Sequence, residues 1–437
     1  MLGYEIEQRS LTREQKKAIG LLSVGTFLEY FDLMLYVHMA VLLNELFFPK
    51  TDPYTASLLT ALAFCSTFVF RPIGALIFGW IGDNIGRKTT VIITTFLMAT
   101  CCIIMANLPT YEQKGLVATV IITLCRAIQG ISSMGEVIGA ELYLTETIAP
   151  PARYPAVAVV SVFAALGGTI ALGVSSLVTS FGFNWRVAFW IGAGVAFVGT
   201  AARSSLRETP EFVDAKRQLK KTLEAANEDL SILRSNPIVN EKIINKNFLA
   251  YFLIECCWPV VFYFIYVYCA EILKNSFGYN SEQVIHHNFI ISIVNLFGFL
   301  ILTYLSYKIY PLKILKVKLF AFILFVVAVP YILNNLTNPT QLLLLQSIVI
   351  LFVSDSIPAA PIFYKHFPIF KRFTSATLIY ALSRAVMYVF VSFGLVYLTK
   401  YFDYWGLVLV FALIVTGFAF GLSHFEKLEK ETGNYPL

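Results

Sequence analysis

Charged side chains lie within the apolar stretches of this chain at a regular spacing. Twelve apolar segments can be counted, and charges lie in the cores of the first, fourth, seventh and tenth. These charged residues are Glu29, Asp32, Arg126, Glu136, Glu255 and Asp355. A charge at the centre of a bilayer costs about 3 kcal/mol on insertion scales, so it normally faces a polar cavity or a partner. Carboxylates in such a cavity can carry protons, and an arginine there can bind an anionic group.

The composition indicates a membrane protein. Of 437 residues, 57% are hydrophobic and only 14% are charged, and the mean hydropathy is +0.71. Soluble domains contain about 25% charged residues. We therefore predict an all-α membrane protein surrounded by a lipid bilayer.

Twelve transmembrane helices are predicted, because a spanning helix needs roughly 20 mostly apolar residues. The predicted spans are Ile19–Leu46, Ala56–Gly79, Thr90–Ala106, Gly115–Leu144, Ala156–Ser180, Val187–Ala202, Phe248–Leu273, Asn288–Ile309, Leu319–Leu333, Leu342–Tyr364, Thr374–Leu398 and Trp405–Leu422. Since charges recur on every third span, the same helix turns inward in each three-helix repeat, which is typical of secondary transporters. We predict a six-helix bundle at residues 1–202, a hydrophilic linker at 203–246, and a second six-helix bundle with a short tail at 247–437.

Lysine and arginine are concentrated on one side of the predicted membrane. With both termini inside, only Lys50, Lys114, Arg186, Lys274 and Lys400 fall outside. Positive charge concentrates on the cytoplasmic side of membrane proteins. The net charge of +6 therefore indicates topology rather than nucleic-acid binding, and both termini are predicted to be cytoplasmic.

The seven cysteines do not favour a metal or redox site. All lie within or beside predicted spans, two pairs are adjacent in sequence, and no CxxC motif occurs. Zinc and redox motifs use spaced cysteines. We predict no metal, and no cofactor other than a coupling proton.

A charged loop with glycines joins the second and third spans. It runs Gly79-Trp-Ile-Gly-Asp83-Asn-Ile-Gly86-Arg87-Lys88. The glycines allow a tight turn, and the carboxylate of Asp83 is favoured at a helix N-terminus. Arg87 and Lys88 can pair with acids or with helix C-termini. The cluster predicts a latch that holds one conformation and breaks in another, and the alternative is an ordinary basic loop.

This loop resembles the signature loop of the major facilitator superfamily, GxxxDRxGRR/K, with Asn84 where that family usually has arginine. Further motifs are GTFLEYFDLMLY at 25–36, RPIG at 71–74, RAIQG at 126–130, GEVIGAE at 135–141, LRETPEF at 206–212 and FPIFKRF at 367–373. Together they resemble the metabolite:proton symporter family, most strongly over roughly residues 20–212. The resemblance implies two six-helix bundles and proton-coupled uptake of solutes such as proline and betaine, or citrate, 2-oxoglutarate and shikimate.

The second half departs from the family pattern at its counterpart of the signature loop. Tyr307 and Tyr310 stand where Asp and Gly are expected, within Leu305–Lys313. A second latch is therefore predicted to be uncharged or absent.

The first span carries the predicted proton-coupling residues Glu29 and Asp32. They are three residues apart and so share a helix face. Two carboxylates close together in a medium of low dielectric constant resist simultaneous ionisation, so one can hold a proton near neutral pH. We assign them this role together with Glu136, against the alternative of a structural pair.

The fourth, seventh and tenth spans supply the predicted substrate site. Arg126, in a motif with Gln129, can bind a carboxylate through two hydrogen bonds or pair with an acid on the first span. Glu255 and Asp355 point at the cavity by the repeat, or else face water at its rim. Tyr263 belongs to a set of aromatic side chains that can hold a quaternary ammonium by cation–π contact or pack against lipid.

Arg71 and Arg384, on the second and eleventh spans, are predicted to gate the contact between the halves rather than to bind substrate.

Acids in the span cores outnumber bases, which favours a zwitterion such as an amino acid or betaine. A dicarboxylate is the alternative, with Arg126 and Arg384 as its basic groups. A proton-coupled exporter and a nutrient sensor that does not transport are less favoured alternatives. No nucleophile–base pattern predicts an enzyme, and we expect a monomer in a bacterial inner membrane.

Overall fold

The computed structural model describes residues 7–49, 53–84, 87–133, 136–181, 184–204 and 244–435. Within these ranges the chain is helical, and backbone pairing of the β type is confined to a bridge between Gln8 and Pro151. Most of the predicted linker at 203–246 lies outside the described residues.

The helices of the first half match the first six predicted spans. They are α1 Arg13–Phe47, α2 Pro53–Val69, α3 Arg71–Asn84, α4 Arg87–Asn107, α5 Tyr111–Lys114, α6 Leu116–Ser132, α7 Glu136–Thr147, α8 Arg153–Ser180 and α9 Arg186–Ser204. The second span is divided into α2 and α3, because Pro72 has no N–H to continue the helical ladder.

The helices of the second half match the other six spans. They are α10 Asn245–Glu255, α11 Cys257–Tyr263, a π-helix Phe264–Tyr268, α12 Cys269–Phe277, α13 Ser281–Lys308, α14 Pro311–Asn334, α15 Pro339–Phe352, α16 Ala360–Lys365, α17 Ile369–Phe402, a 3₁₀ turn Asp403–Trp405 and α18 Gly406–Glu431. In the described ranges, six stretches are long and apolar enough to cross a membrane, and one of them, Lys371–Glu431, runs over both α17 and α18.

The prediction of one continuous tenth span was wrong. Between α15 and α16, residues 353–359 are not helical. Pro358 lacks a backbone N–H, which disfavours a helix through this stretch. Non-helical backbone at membrane depth is tolerated where it is buried in protein or lines a cavity, and Asp355 lies in this segment.

The two halves meet along two long helix pairs, α8 with α13 and α2 with α17.

Within the first half, helices approach so closely that side chains would not fit. A Cβ at Gly130 of α6 would overlap the carbonyl oxygen of Thr67 on α2. Small residues at helix contacts permit this approach in membranes, which gives the RAIQG motif a packing role.

Both described chain ends lie on one side of the bundle. The backbone N–H of Gln8 donates to the carbonyl of Pro150 at 2.8 Å. The ring of Tyr154 lies 6.2 Å from that of Tyr310, which lies 5.0 Å from that of Tyr435. We call this side the termini face, and the side where α1 ends the opposite face.

Candidate functional site

A cavity of about 130 Å³ lies between the two halves. Its charged lining residues are Arg71, Glu141, Glu255, Asp355 and Arg384. Its aromatic lining residues are Tyr30, Phe68, Trp258, Phe262, Tyr266, Phe299, Tyr364, Tyr380 and Tyr388. Ligand sites are typically apolar concavities with a few convergent polar groups, so this cavity is the candidate site.

Arg384 is held in place by side chains of its own half. Its Nη1 donates to Oε2 of Glu255 on α10 at 2.5 Å, and its guanidinium lies 3.5 Å from the ring centre of Tyr380. The hydroxyls of Tyr380 and Tyr30 are 2.7 Å apart, and this hydrogen bond joins α17 to α1. Arg384 therefore pairs within the second half, and the neighbouring Tyr380 makes a contact between the halves. The gating role of Arg384 stays a prediction.

Arg71 lies on the first-half side of the cavity. Its side chain is 3% exposed, and its guanidinium lies 4.5 Å from the ring centre of Phe68. Its Nε and Nη2 are buried and have no hydrogen-bond partner within the described part of the chain. Arg71 also lines a second, smaller cavity together with Glu29 and Thr377.

Asp355 reaches the cavity from the non-helical segment of the tenth span. Its Oδ1 accepts a hydrogen bond from Nζ of Lys318 at 2.7 Å, and each side chain is 5% exposed. Lys318 directly precedes the predicted ninth span, and α14, which begins at Pro311, places it within a helix of the second half. Asp355 compensates the lysine's charge there.

Polar contacts join the two halves on the side of the cavity toward the termini face. The hydroxyl of Tyr364 on α16 donates to Oε2 of Glu141 on α7 at 2.6 Å, and Ser161 donates to the other carboxylate oxygen at 3.3 Å. Beyond them, Nη1 of Arg372 and Oε1 of Glu146 are 2.9 Å apart. Both Tyr364–Glu141 and Arg372–Glu146 join the second half to the first.

A different set of contacts joins the two halves on the side of the cavity toward the opposite face. The ring of His38 on α1 lies edge-on to Tyr266 of the π-helix, with centroids 5.4 Å apart. Farther out, Nζ of Lys274 lies 2.8 Å from Oε1 of Glu45, which also accepts from the hydroxyl of Ser281 at 2.9 Å. Contacts between the halves therefore lie on both sides of the cavity.

Two side-chain amides donate hydrogen bonds to backbone carbonyls of the π-helix in the seventh span. Gln346 donates to the carbonyl of Ile265 at 2.7 Å, and Asn288 donates to the carbonyl of Tyr266 at 3.2 Å. A π-turn leaves carbonyls without their usual helical partners, and such turns are frequent at functional sites. Here it turns Tyr266 toward the cavity and His38.

Arg126 and Gln129 do not line the cavity. The Arg126 guanidinium stacks on the ring of Tyr36 at 3.8 Å, and its Nη1 donates to Oε1 of Gln129 at 3.3 Å. Gln129 in turn donates to Sγ of Cys102 at 3.7 Å. The structure therefore places the arginine predicted for substrate among first-half helices, and its substrate role stays a prediction.

Glu29 and Asp32 are both buried, but they face different neighbours. Glu29 lines the small cavity beside Arg71, whereas Oδ1 of Asp32 would lie 3.2 Å from a Cβ at Gly192 of α9. Residues three apart lie within about 60° of each other around a helix, so the two carboxylates share a face but have different neighbours. Their proton-coupling role stays a prediction.

The remaining predicted residues have mixed outcomes. Tyr263 does not line the cavity; its ring centre lies 5.3 Å from that of Phe64. The structure does not describe the side chains of Glu136 and of the latch residues Asp83, Arg87 and Lys88. Gly86 lies outside the described residues. Of Gly79 the structure gives only its place within α3.

Sequence reasoning missed Tyr30, Tyr380, Tyr364, Glu141 and Lys318. Two signals were available. Tyr380 precedes Arg384 by one helical turn, where side chains meet, and Glu141 ends the quoted GEVIGAE motif. The tyrosines otherwise give no signal, because 23 of them occur along the chain.

The family model described as Major Facilitator Superfamily matches residues 22–391. The "Inner membrane metabolite transport protein YhjE" of Escherichia coli K12 is 34% identical over 231 residues, which are 50% of this chain and 52% of that protein. The "Proline/betaine transporter" of the same strain is 27% identical over 298 residues, 65% of this chain and 57% of that protein. The chain thus matches only about half of the length of these relatives.

A solved structure shares the fold along most of the chain. The proton:xylose symporter XylE of E. coli, bound to 6-bromo-6-deoxy-D-glucose, matches with a TM-score of 0.71 over 92% of this chain and 94% of XylE, at 14% identity. That likeness concerns the fold alone. Because the family model covers most of the sequence and the helical architecture agrees with it, this multi-pass membrane protein belongs to the Major Facilitator Superfamily.

Proposed function

We propose that the chain is a secondary transporter that takes up a small zwitterionic metabolite together with protons. The observation that carries this proposal is the cavity between the halves, which holds charged and aromatic side chains and has contacts between the halves on both of its sides. In alternating access, two halves rock about a site near the membrane midplane and expose it to one side at a time.

The two sets of contacts support this mechanism because they use different residues. Opening toward the termini face must break Tyr364–Glu141 and Arg372–Glu146. Opening toward the opposite face must break Lys274–Glu45 and separate His38 from Tyr266. Each set can therefore break while the other remains.

The charges of the cavity favour a zwitterion over a dicarboxylate. Two acids are matched by cations, Glu255 by Arg384 at 2.5 Å and Asp355 by Lys318 at 2.7 Å. A dicarboxylate would need two cations, but Arg126 lies outside the cavity and Arg384 is already bonded. The names of the two relatives, a metabolite transport protein and a proline/betaine transporter, agree with a small polar solute.

We place the protein in a bacterial inner membrane as a monomer, with the termini face toward the cytoplasm. The excess of Lys and Arg on that side supports the orientation. Glu29, Asp32 and Glu136 are the proposed proton-coupling residues.

Uptake into proteoliposomes with an imposed proton gradient tests this function. We expect labelled L-proline or glycine betaine to accumulate, and a protonophore to abolish the accumulation. Glu29→Gln and Asp32→Asn are expected to reduce gradient-driven uptake, with the surface variant Arg13→Gln as control. Accumulation of 2-oxoglutarate alone would replace the zwitterion with a dicarboxylate, and a lack of gradient-driven uptake of any of these solutes would contradict the proposal.

A further inference from the structure

Arg71 is a buried cation with unused hydrogen-bonding capacity at the cavity wall. Its side chain is 3% exposed, and neither Nε nor Nη2 has a hydrogen-bond partner among the residues that the structure describes. A buried charged donor that makes no hydrogen bond is costly, and a ligand that supplies the missing acceptors recovers that cost. Nε and Nη2 form one edge of the guanidinium fork, which matches the two oxygens of a carboxylate.

The contacts of Arg71 orient its guanidinium without neutralising its charge. The group stacks on Phe68, with its central carbon 4.5 Å from the ring centre. Stacking fixes the plane of the guanidinium. Arg71 shares the cavity wall with Tyr30 of α1 and Tyr380 of α17, so it lies between the two halves.

Arg384 is not equivalent to Arg71. It already donates to Glu255 at 2.5 Å and to the hydroxyl of Ser383 at 3.0 Å. A substrate anion would have to displace Glu255 and leave that carboxylate buried without its partner. Arg71 can bind an anion with no such loss.

Aromatic side chains supply a suitable surface for the other end of a zwitterion. Trp258, Phe262 and Tyr266 all line the same cavity, and the ring centres of Phe262 and Tyr266 are 4.9 Å apart. Aromatic faces attract ammonium groups. The cavity therefore offers an arginine edge for a carboxylate and ring faces for a cation.

We propose that Arg71 binds the carboxylate of the substrate through Nε and Nη2. The inference rests on the proposed function, because it assumes a zwitterionic substrate. It also changes the role of this residue, which the sequence assigned to gating. Since Glu29 lines the small cavity beside Arg71, the bound carboxylate would lie near a proposed proton-coupling residue.

The test compares ligands with and without a carboxylate on the purified full-length protein. L-proline is paired with pyrrolidine, and glycine betaine with tetramethylammonium, and binding is measured by calorimetry. Arg71→Gln loses a charge-assisted pair of hydrogen bonds to the carboxylate. We therefore expect this variant to bind L-proline or glycine betaine at least about tenfold more weakly than the wild-type protein does. Binding of pyrrolidine and tetramethylammonium is expected to stay unchanged. Arg13→Gln, at an exposed position, is the matched control.

Arg71→Lys keeps the test decisive if Arg71→Gln does not fold. Lysine keeps the charge but not the fork, so we expect an intermediate loss that is again confined to the carboxylate ligands. An equal loss for both members of a ligand pair, or no loss at all, would overturn the inference while leaving the proposed function intact. If the wild-type protein binds neither zwitterion, the proposed function fails, and the inference fails with it.

Discussion

The pair formed by Lys318 and Asp355 is the residue-scale feature with the clearest consequence for stability. Nζ and Oδ1 are 2.7 Å apart, and each side chain is 5% exposed. Removing one partner leaves a buried charge uncompensated, which costs about 3–5 kcal/mol. Asp355→Asn or Lys318→Met alone is therefore expected to lower the free energy of unfolding by about that amount. The measurement is thermal unfolding in detergent.

The double variant Lys318→Met/Asp355→Asn separates charge from packing. Because neither charge remains, we expect it to unfold closer to the wild-type temperature than either single variant. Lys427→Met is the control, since its pair with Glu431 is exposed and 3.7 Å long, and exposed pairs contribute little. Single variants that melt like the control would show that the buried pair does not stabilise the fold.

Which charges are buried could be predicted from the sequence, but their partners could not. Glu255, Asp355, Arg71 and Arg384 all line the cavity, as charges inside apolar spans should. Helical spacing fixes the faces within one helix only, so the match of Arg384 with Glu255 depends on how two distant helices pack. Lys318 was missed because the predicted ninth span begins one residue after it, at Leu319.

At the scale of helices, the close contact of α6 with α2 depends on a single glycine. A Cβ at Gly130 would overlap the carbonyl oxygen of Thr67. Backbone atoms cannot move aside as side chains do, so Gly130→Ala must separate the helices. Overpacking of this kind costs about 1–3 kcal/mol. We therefore expect Gly130→Ala to unfold at a lower temperature than the wild-type protein, as measured by thermal unfolding in detergent.

Gly394→Ala, on helix α17, is the matched control for Gly130→Ala. A Cβ there meets nothing within 4 Å, and alanine favours a helix over glycine by about 1 kcal/mol. This variant is expected to unfold at or above the wild-type temperature. If both alanine variants behave alike, the close contact of α6 with α2 is not as tight as the structure indicates.

The existence of each span was predictable from apolar length, whereas the interruptions were not. Pro259 and Pro358 mark two broken spans, but a proline inside an apolar run is compatible with either a kink or a break. The π-helix depends on Gln346 and Asn288, which come from the tenth and eighth spans. Partners so distant in sequence carry no local signal.

At the scale of the whole molecule, the twofold division of the chain follows from composition and repeat. The spacing of charged spans predicts a cavity between two bundles, and the cavity contains residues of both. What composition cannot supply is the conformation. Whether the cavity is open to one face or closed depends on small differences among the contacts that join the halves.

Cross-linking across either face tests whether the halves must separate there during transport. Cysteines replacing Glu45 and Lys274, or Glu146 and Arg372, lie where ion pairs of 2.8 Å and 2.9 Å now join the halves. Each pair, joined by a short cleavable reagent, is expected to stop uptake, because one of the two openings is then blocked. Reductive cleavage should restore it. The native cysteines are buried in the described structure, which limits their reaction.

A cross-link within one half distinguishes blocked rocking from general damage. Lys316 and Glu426 form an ion pair of 2.7 Å between α14 and α18, both in the second half. Lys316→Cys/Glu426→Cys, joined by the same reagent, is expected to keep transporting, because rigid-body rocking does not change distances within a half. Uptake that persists after complete cross-linking at either face would contradict alternating access through these contacts. Loss of uptake in all three cross-linked variants would instead indicate that each half must deform internally.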